Sequence, residues 1–191
     1  MTGVWELPTE AVFDGRRYRL CTDFRDILEI FSYLNDPDMP EFLRWQIAVA
    51  LFFEAPVESA HMQQAVEYLA WFIAGGEQQR NVPGPKLLDW EQDAAMIICD
   101  VNRAAGQELR SLPYLHWWTF LSWFHAIGQG QLSMVVAIRD KLSRGKKLED
   151  WEKDFYRENK HRVELKKRYS RQETAEREHL EKLLSGKRID N

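Results

Sequence analysis

The stretch RSLPYLHWWTFLSWFHAIGQGQLSMVVAIRD, Arg110 to Asp140, decides the fold. Between Arg110 and Arg139 it holds no Asp, Glu, Lys or Arg, and it carries three tryptophans and two phenylalanines. A membrane span needs about 20 mostly apolar residues in a row. Here Pro113 opens the run and the GQGQ segment, 128–131, breaks it into two pieces that are both too short. The spacing predicts a helix over 113–127. On a helical wheel Trp117, Phe120, Leu121, Phe124 and Ile127 share one broad arc, while Leu115, Trp118 and Trp123 point elsewhere. Only Thr119, Ser122 and Ala126 form a small stripe. A helix apolar nearly all round is buried on most sides. It is therefore the central helix of a core or of a subunit interface, and Trp117, Phe120, Leu121 and Phe124 are its expected core residues.

Working outward, 191 residues suffice for one domain with a real core, and the 45% apolar and 29% charged content fits a globular chain. Two cysteines in apolar surroundings, Cys21 and Cys99, suggest buried free thiols in a reducing compartment. The first fifteen residues show neither a basic nor an apolar leader region, so no secretory signal is read there. Charge divides unevenly. Residues 1–138 carry 9 Lys+Arg against 18 Asp+Glu, and residues 139–191 carry 17 against 12. The division expected is an acidic helical body over 1–147 and a mixed-charge helical arm over 148–191.

The body begins with a predicted hairpin, EAVFDGRRYRLC, whose Asp14-Gly15 suits a tight turn. Thr22 or Asp23 then caps a helix through FRDILEIFSYL. A second helix starts near Pro40, and a third covers about Glu58 to Ala74 and stops at Gly75-Gly76. The segment 75–86 reads as a loop. Asp89 is expected to cap a fourth helix that Gly106 ends. In the arm, Ser170 and Glu173 make a capping box for a last helix with Leu180, Leu183 and Leu184 on one stripe. The fold class expected is mainly α: a bundle of about five to six helices, a small N-terminal hairpin and a charged C-terminal helical arm.

Chemistry-bearing patterns are few. Glu58/His61 and Glu158/His161 have the Glu-x-x-His spacing that di-iron bundles use. Glu58 also suits a first helical turn, and Glu158 has no apolar shell around it. We therefore expect no metal site, and expect His61 and His161 to be dispensable for folding. His116 and His125 are about half a turn apart on the wheel, so one metal would not see both. No phosphate loop and no nucleophile elbow occurs. Lys146-Lys147 and Lys166-Lys167-Arg168 are basic, but interleaved acids dilute their field for phosphates. No catalytic residue, no cofactor and no enzymatic activity are expected.

Three blocks carry a resemblance: TDFRDILEIFSYLNDPDM (22–39), PKLLDWEQDAAMIICDVNRAAGQELRSLPYLHWWTFLSWFHAIG (85–128) and IRDKLSRGKKLEDWEKDFYRENKHRVELKKRYS (138–170). Within them DWEQD, YLHWWTFL and RGKKLEDWEKDFYREN are long and aromatic-rich. From about Trp5 to Ser170 the chain resembles the bacteriophage gene-product-fifteen family of long-tailed phages and prophages. The resemblance implies a tail assembly chaperone that binds and solubilises the tape measure protein. It implies work in the host cytoplasm and absence from the mature virion. The alternatives are a structural virion component, such as a tail-completion or head–tail connector subunit, and a nucleic-acid-binding phage protein. Partners expected are the tape measure protein, further copies in a filament-like or other homo-oligomer, and a second tail chaperone; neither membrane nor nucleic acid is expected. Trp90, Trp118, Trp123, Trp151, Phe155 and Tyr156 are the candidate partner contacts. The arm is expected to project from the body, so that truncation after Ser143 would leave the body folded.

Overall fold

A computed structural model describes residues 5–77 and 84–186, with the side chains of 181–186 left out. The N-terminal hairpin pairs β1, Glu10–Phe13, with β2, Arg16–Arg19, in antiparallel register. Asp14 and Gly15 both take positive φ, 47° and 84°, as a two-residue primed turn requires. The helices are α1 (Phe24–Leu34), α2 (Glu41–Phe52), α3 (Met62–Ile73), α4 (Ala94–Ala105), α5 (Trp117–His125), α6 (Gln131–Ser143), α7 (Asp150–Glu158), α8 (Lys160–Val163) and α9 (Arg171–Gly186). The fold is mainly α, as expected. Among the described residues no helix is long and apolar enough to cross a membrane.

Capping explains several boundaries. Asp23 accepts the Arg25 backbone N–H and starts α1, so it rather than Thr22 is the cap. The same carboxylate accepts the Leu115 N–H, which ties α1 to the chain entering α5. The predicted helix over 113–127 is shorter at both ends. Residues 115–117 run extended beside 22–24, with Phe24 N–H donating to Leu115 O and Trp117 N–H to Thr22 O. His116 then caps α5. The fourth helix also starts later than expected. Asp89 accepts from Glu91 N and Gln92 N in a preceding turn, and α4 begins only after Asp93. Residues 78–83 of the expected loop, and the side chains of Leu183 and Leu184, lie outside the description.

The hairpin and α1 to α6 enclose one core in which Trp117, Phe52, Phe72 and Phe120 are fully buried. Phe120 stacks on Phe24 at 5.0 Å and on Trp117 at 5.3 Å between ring centroids. Leu121 and Phe124 are only half-buried, at the edge of the same cluster. Cys99 is exposed on α4 and Cys21 is partly buried, so the expectation of two buried thiols fails. Cys99 stands on the outer side of a helix whose inner side is Met96, Ile97, Asp100 and Val101.

The projecting arm is a second correction. Leu148 and Val163 are buried with Ile138 of α6, and Phe155 reaches both this cluster and the main core. Arg139 donates to the carbonyls of Arg162 and Val163 at 2.6 and 2.7 Å. Buried Glu152 meets Lys141 at 2.7 Å. Gln92 donates to Glu164 O and accepts from Lys166 N. Residues 148–168 thus pack on the body, and a chain cut after Ser143 is expected to lose stability. A mostly charged sequence can still dock, because a few apolar residues and charged side chains aimed at backbone carbonyls suffice.

Only α9 matches the idea of an arm. Its described side chains are exposed, and its start touches the body through Arg171 N–H to Asp38 at 2.7 Å. Truncation after Tyr169 should therefore leave stability within about 0.5 kcal/mol of the full chain, the usual scale of surface changes. A thermal melt of both chains checks this; a clear drop would place α9 in the folded body.

Candidate partner-binding site

The chain between α3 and α4 builds the site. Asp89 is buried and receives the Lys86 ammonium at 2.8 Å and the Arg168 guanidinium at 3.4 Å. Burial pushes its pKa up, but the Gln92 N–H and the Lys86 and Arg168 charges outweigh this and hold the carboxyl at about 2. Arg168 also meets Glu91 at 2.7 Å. This knot fixes Trp90, whose ring lies 5.9 Å from Phe31, 5.7 Å from Trp117 and 5.1 Å from Phe124.

Two open clefts meet at the knot, with Asp89, Glu91 and Arg168 in the walls of both. One, of about 470 Å³, lies between α1 and the 86–91 segment, and Leu28, Phe31, Leu88 and Trp90 form its apolar wall. The other, of about 880 Å³, is basic along one side, with His161, Arg162, Lys166 and Lys167 facing Gln92, Ala95 and Met96. Among the described residues Arg162, Lys166 and Lys167 have no carboxylate within ion-pair distance.

A family model described as Bacteriophage Gp15 protein matches residues 6–165. The chain belongs to that family. No curated protein and no solved structure matches it at a significant level. Within this Gp15-family chain the six aromatics picked out in the sequence do not converge on one surface. Trp90 lines the apolar cleft. Trp118 packs on Trp71 and Gly76 and donates to Phe72 O at 2.8 Å, so it belongs to the α3–α5 contact. Trp123 is half-buried against the core. Phe155 and Tyr156 pack on the cluster around Ile138, and the Tyr156 hydroxyl donates to Glu164 at 2.6 Å. Trp151 stays 56% exposed on α7, apart from the clefts. Sequence reading missed Leu28, Phe31 and Leu88 as cleft residues, and noted Lys166-Lys167-Arg168 only as a diluted phosphate patch. The Gln92 and Arg168 contacts that bring this segment to Trp90 have no local pattern to find them by.

The Glu-x-x-His patterns serve different ends. Glu58 pairs with Arg16 of the hairpin, and His61 is buried beside Tyr18, whose hydroxyl lies 2.8 Å from its Nδ1. His161 is exposed in the basic cleft. Among the described residues no group of three or more His, Cys, Asp or Glu is placed to hold a metal ion. The burial of His61 against Tyr18 argues against the expectation that it is dispensable for folding. His61→Ala should cost about 1–3 kcal/mol by orphaning the Tyr18 hydroxyl, whereas His161→Ala should be neutral; urea titrations of the two variants check the contrast.

His116 gives a pH signature. Its Nδ1 accepts the Trp118 N–H at 3.0 Å and its Nε2 donates to Pro8 O at 3.1 Å, which requires a neutral ring. Burial holds its pKa below the ordinary 6.5, opposed only in part by the Pro8 bond. With the folded value below the unfolded one, this stabilisation is complete above about pH 6.5 and is lost as pH falls through the folded value. Thermal melts from pH 8 to 5 should show the loss. His116→Asn retains a capping acceptor and should flatten that part of the profile.

Proposed function

We propose that this phage protein is a tail assembly chaperone that binds the tape measure protein and keeps it soluble in the host cytoplasm until the tail tube forms around it. The supporting observation is the pair of joined clefts on a rigid aromatic base, held in a chain of the Gp15 family. A long helical client exposes apolar stripes, and an apolar groove with a charged rim suits one such stripe. In this reading the protein acts by binding, without catalysis, cofactor or metal, and leaves before the virion is complete. Further copies and a second tail chaperone would bind along the same client. Co-expression with a tape measure fragment tests it: the fragment should move to the soluble fraction and copurify. A fragment that stays insoluble beside abundant soluble chain would refute the role.

A second reading, a connector or completion subunit of the virion, is favoured by the exposed helix α9, where Leu180 is 56% exposed. Mass spectrometry of purified virions separates the two. A chaperone is absent from them and a connector is present in fixed copy number.

A further inference from the structure

We infer that the joined cleft is the docking site for one amphipathic helix of a partner, with its apolar face on Leu28, Phe31, Leu88 and Trp90 and carboxylates on its flank against Arg162, Lys166 and Lys167. This rests on the reading of the chain as a protein that binds a helical client, and it adds the surface and the charge of that client. Three features carry it.

The first is unspent charge. Arg168 and Lys86 are engaged by Asp89 and Glu91, yet Arg162, Lys166 and Lys167 line the cleft with no carboxylate within ion-pair distance among the described residues. Like charges held together by the fold call for anions from outside. The second is the apolar wall, which continues from this basic side across the Arg168 knot. A ligand that satisfies both must be apolar on one side and acidic on the next, which describes an amphipathic helix. The third is rigidity. Trp90 and Phe31 are stacked into the core, and the basic segment is tied down by Gln92 and Arg139, so little ordering cost falls on binding. A nucleic acid fits less well, since an evenly charged phosphate backbone would have to cross the apolar wall of Leu28, Phe31, Leu88 and Trp90.

The test uses the full chain and a fluorescein-labelled synthetic helix of roughly 20 residues, with leucines at helical spacing and glutamates on the flank. A second peptide carries lysines in place of the glutamates. Anisotropy should show the acidic peptide binding at least about tenfold more tightly than the basic one, a difference of about 1.4 kcal/mol. The double variant Lys166→Glu/Lys167→Glu should lose that preference. Ser32→Trp, which fills the apolar cleft from an exposed position on α1 without removing a core residue, should weaken binding of the acidic peptide. If either variant melts early, the other and the peptide pair decide. Equal binding of the two peptides overturns the assignment. So does preferential binding of single-stranded oligothymidylate, or self-association of the wild type that vanishes in the double variant and marks the cleft as a contact between copies. Failure of the chaperone reading shows separately, as a tape measure fragment left insoluble by the wild type. A fragment kept soluble equally well by the wild type and the double variant removes the cleft and leaves the chaperone role standing.

Discussion

Arg139→Met is expected to destabilise the protein by about 3–5 kcal/mol, the cost of breaking a buried ion pair from one side. The Arg139 side chain is 4% exposed and that of Asp93 is fully buried. The guanidinium forks onto Asp93, with Nη1 to Oδ2 at 2.7 Å and Nη2 to Oδ1 at 2.9 Å. It also donates to the carbonyls of Leu87, Arg162 and Val163. One side chain thus joins α4, α6, the segment before Asp89 and the end of α8. Methionine keeps much of the volume and removes every guanidinium bond, leaving three carbonyls without this donor and a buried carboxylate with only the Asp89 N–H. Arg139→Lys should rescue only in part, because an ammonium lacks the planar fork. The double change Arg139→Met/Asp93→Leu should recover stability relative to the single one, since no buried charge remains. Urea titrations of the four chains check the order. A single variant as stable as wild type would mean that the pair is not buried in solution. Truncation after Ser143 should cost at least as much, because it removes two of the carbonyl partners and uncovers Ile138.

Phe120→Ala should cost about 3–5 kcal/mol, the range for deleting a buried aromatic. Its ring is 1% exposed and lies in a nearly parallel series, 9° from Phe24 and 19° from Trp117 and Phe124. Deleting it opens a cavity between α1 and α5 that stiff neighbouring rings cannot close. Trp117 is also anchored, since its Nε1 donates to Ile73 O at 3.1 Å, and cannot swing into the space. Phe124→Ala, at the half-buried edge of the series, should cost less. A thermal melt of the two variants reads the difference, and equal costs would show that the core is not centred on Phe120.

These two cases mark what the sequence could reveal. The aromatic run announced α5 and its place in the core because apolar periodicity is a local signal. The Asp14-Gly15 turn was legible for the same reason, and local sequence narrows the cap of α1 to Thr22 or Asp23. Arg139 was not. It stands at the edge of a charged region, and its carboxylate lies 46 residues away with no pattern joining them. The docking of 148–168 escaped notice because Leu148 and Val163 are isolated among charges, and most of the attachment runs from side chains to backbone, which no residue type advertises. The cleft shares that obscurity. Its apolar half looks like ordinary core on α1, and its basic half like a solvated tail. Only tertiary structure places them side by side.

The bonds from Arg139 to the end of α8 also govern timing during synthesis. Val163 follows Arg139 by 24 residues, so at about 5–20 residues per second the ribosome delivers it roughly 1–5 s later. Throughout that interval Asp93 and Leu87 are already made and can hold one side of the guanidinium, while its other donors must keep water as their partner. The nascent body therefore cannot dehydrate this arginine until Val163 has emerged, so burial of the Arg139–Asp93 pair waits on the synthesis of α8.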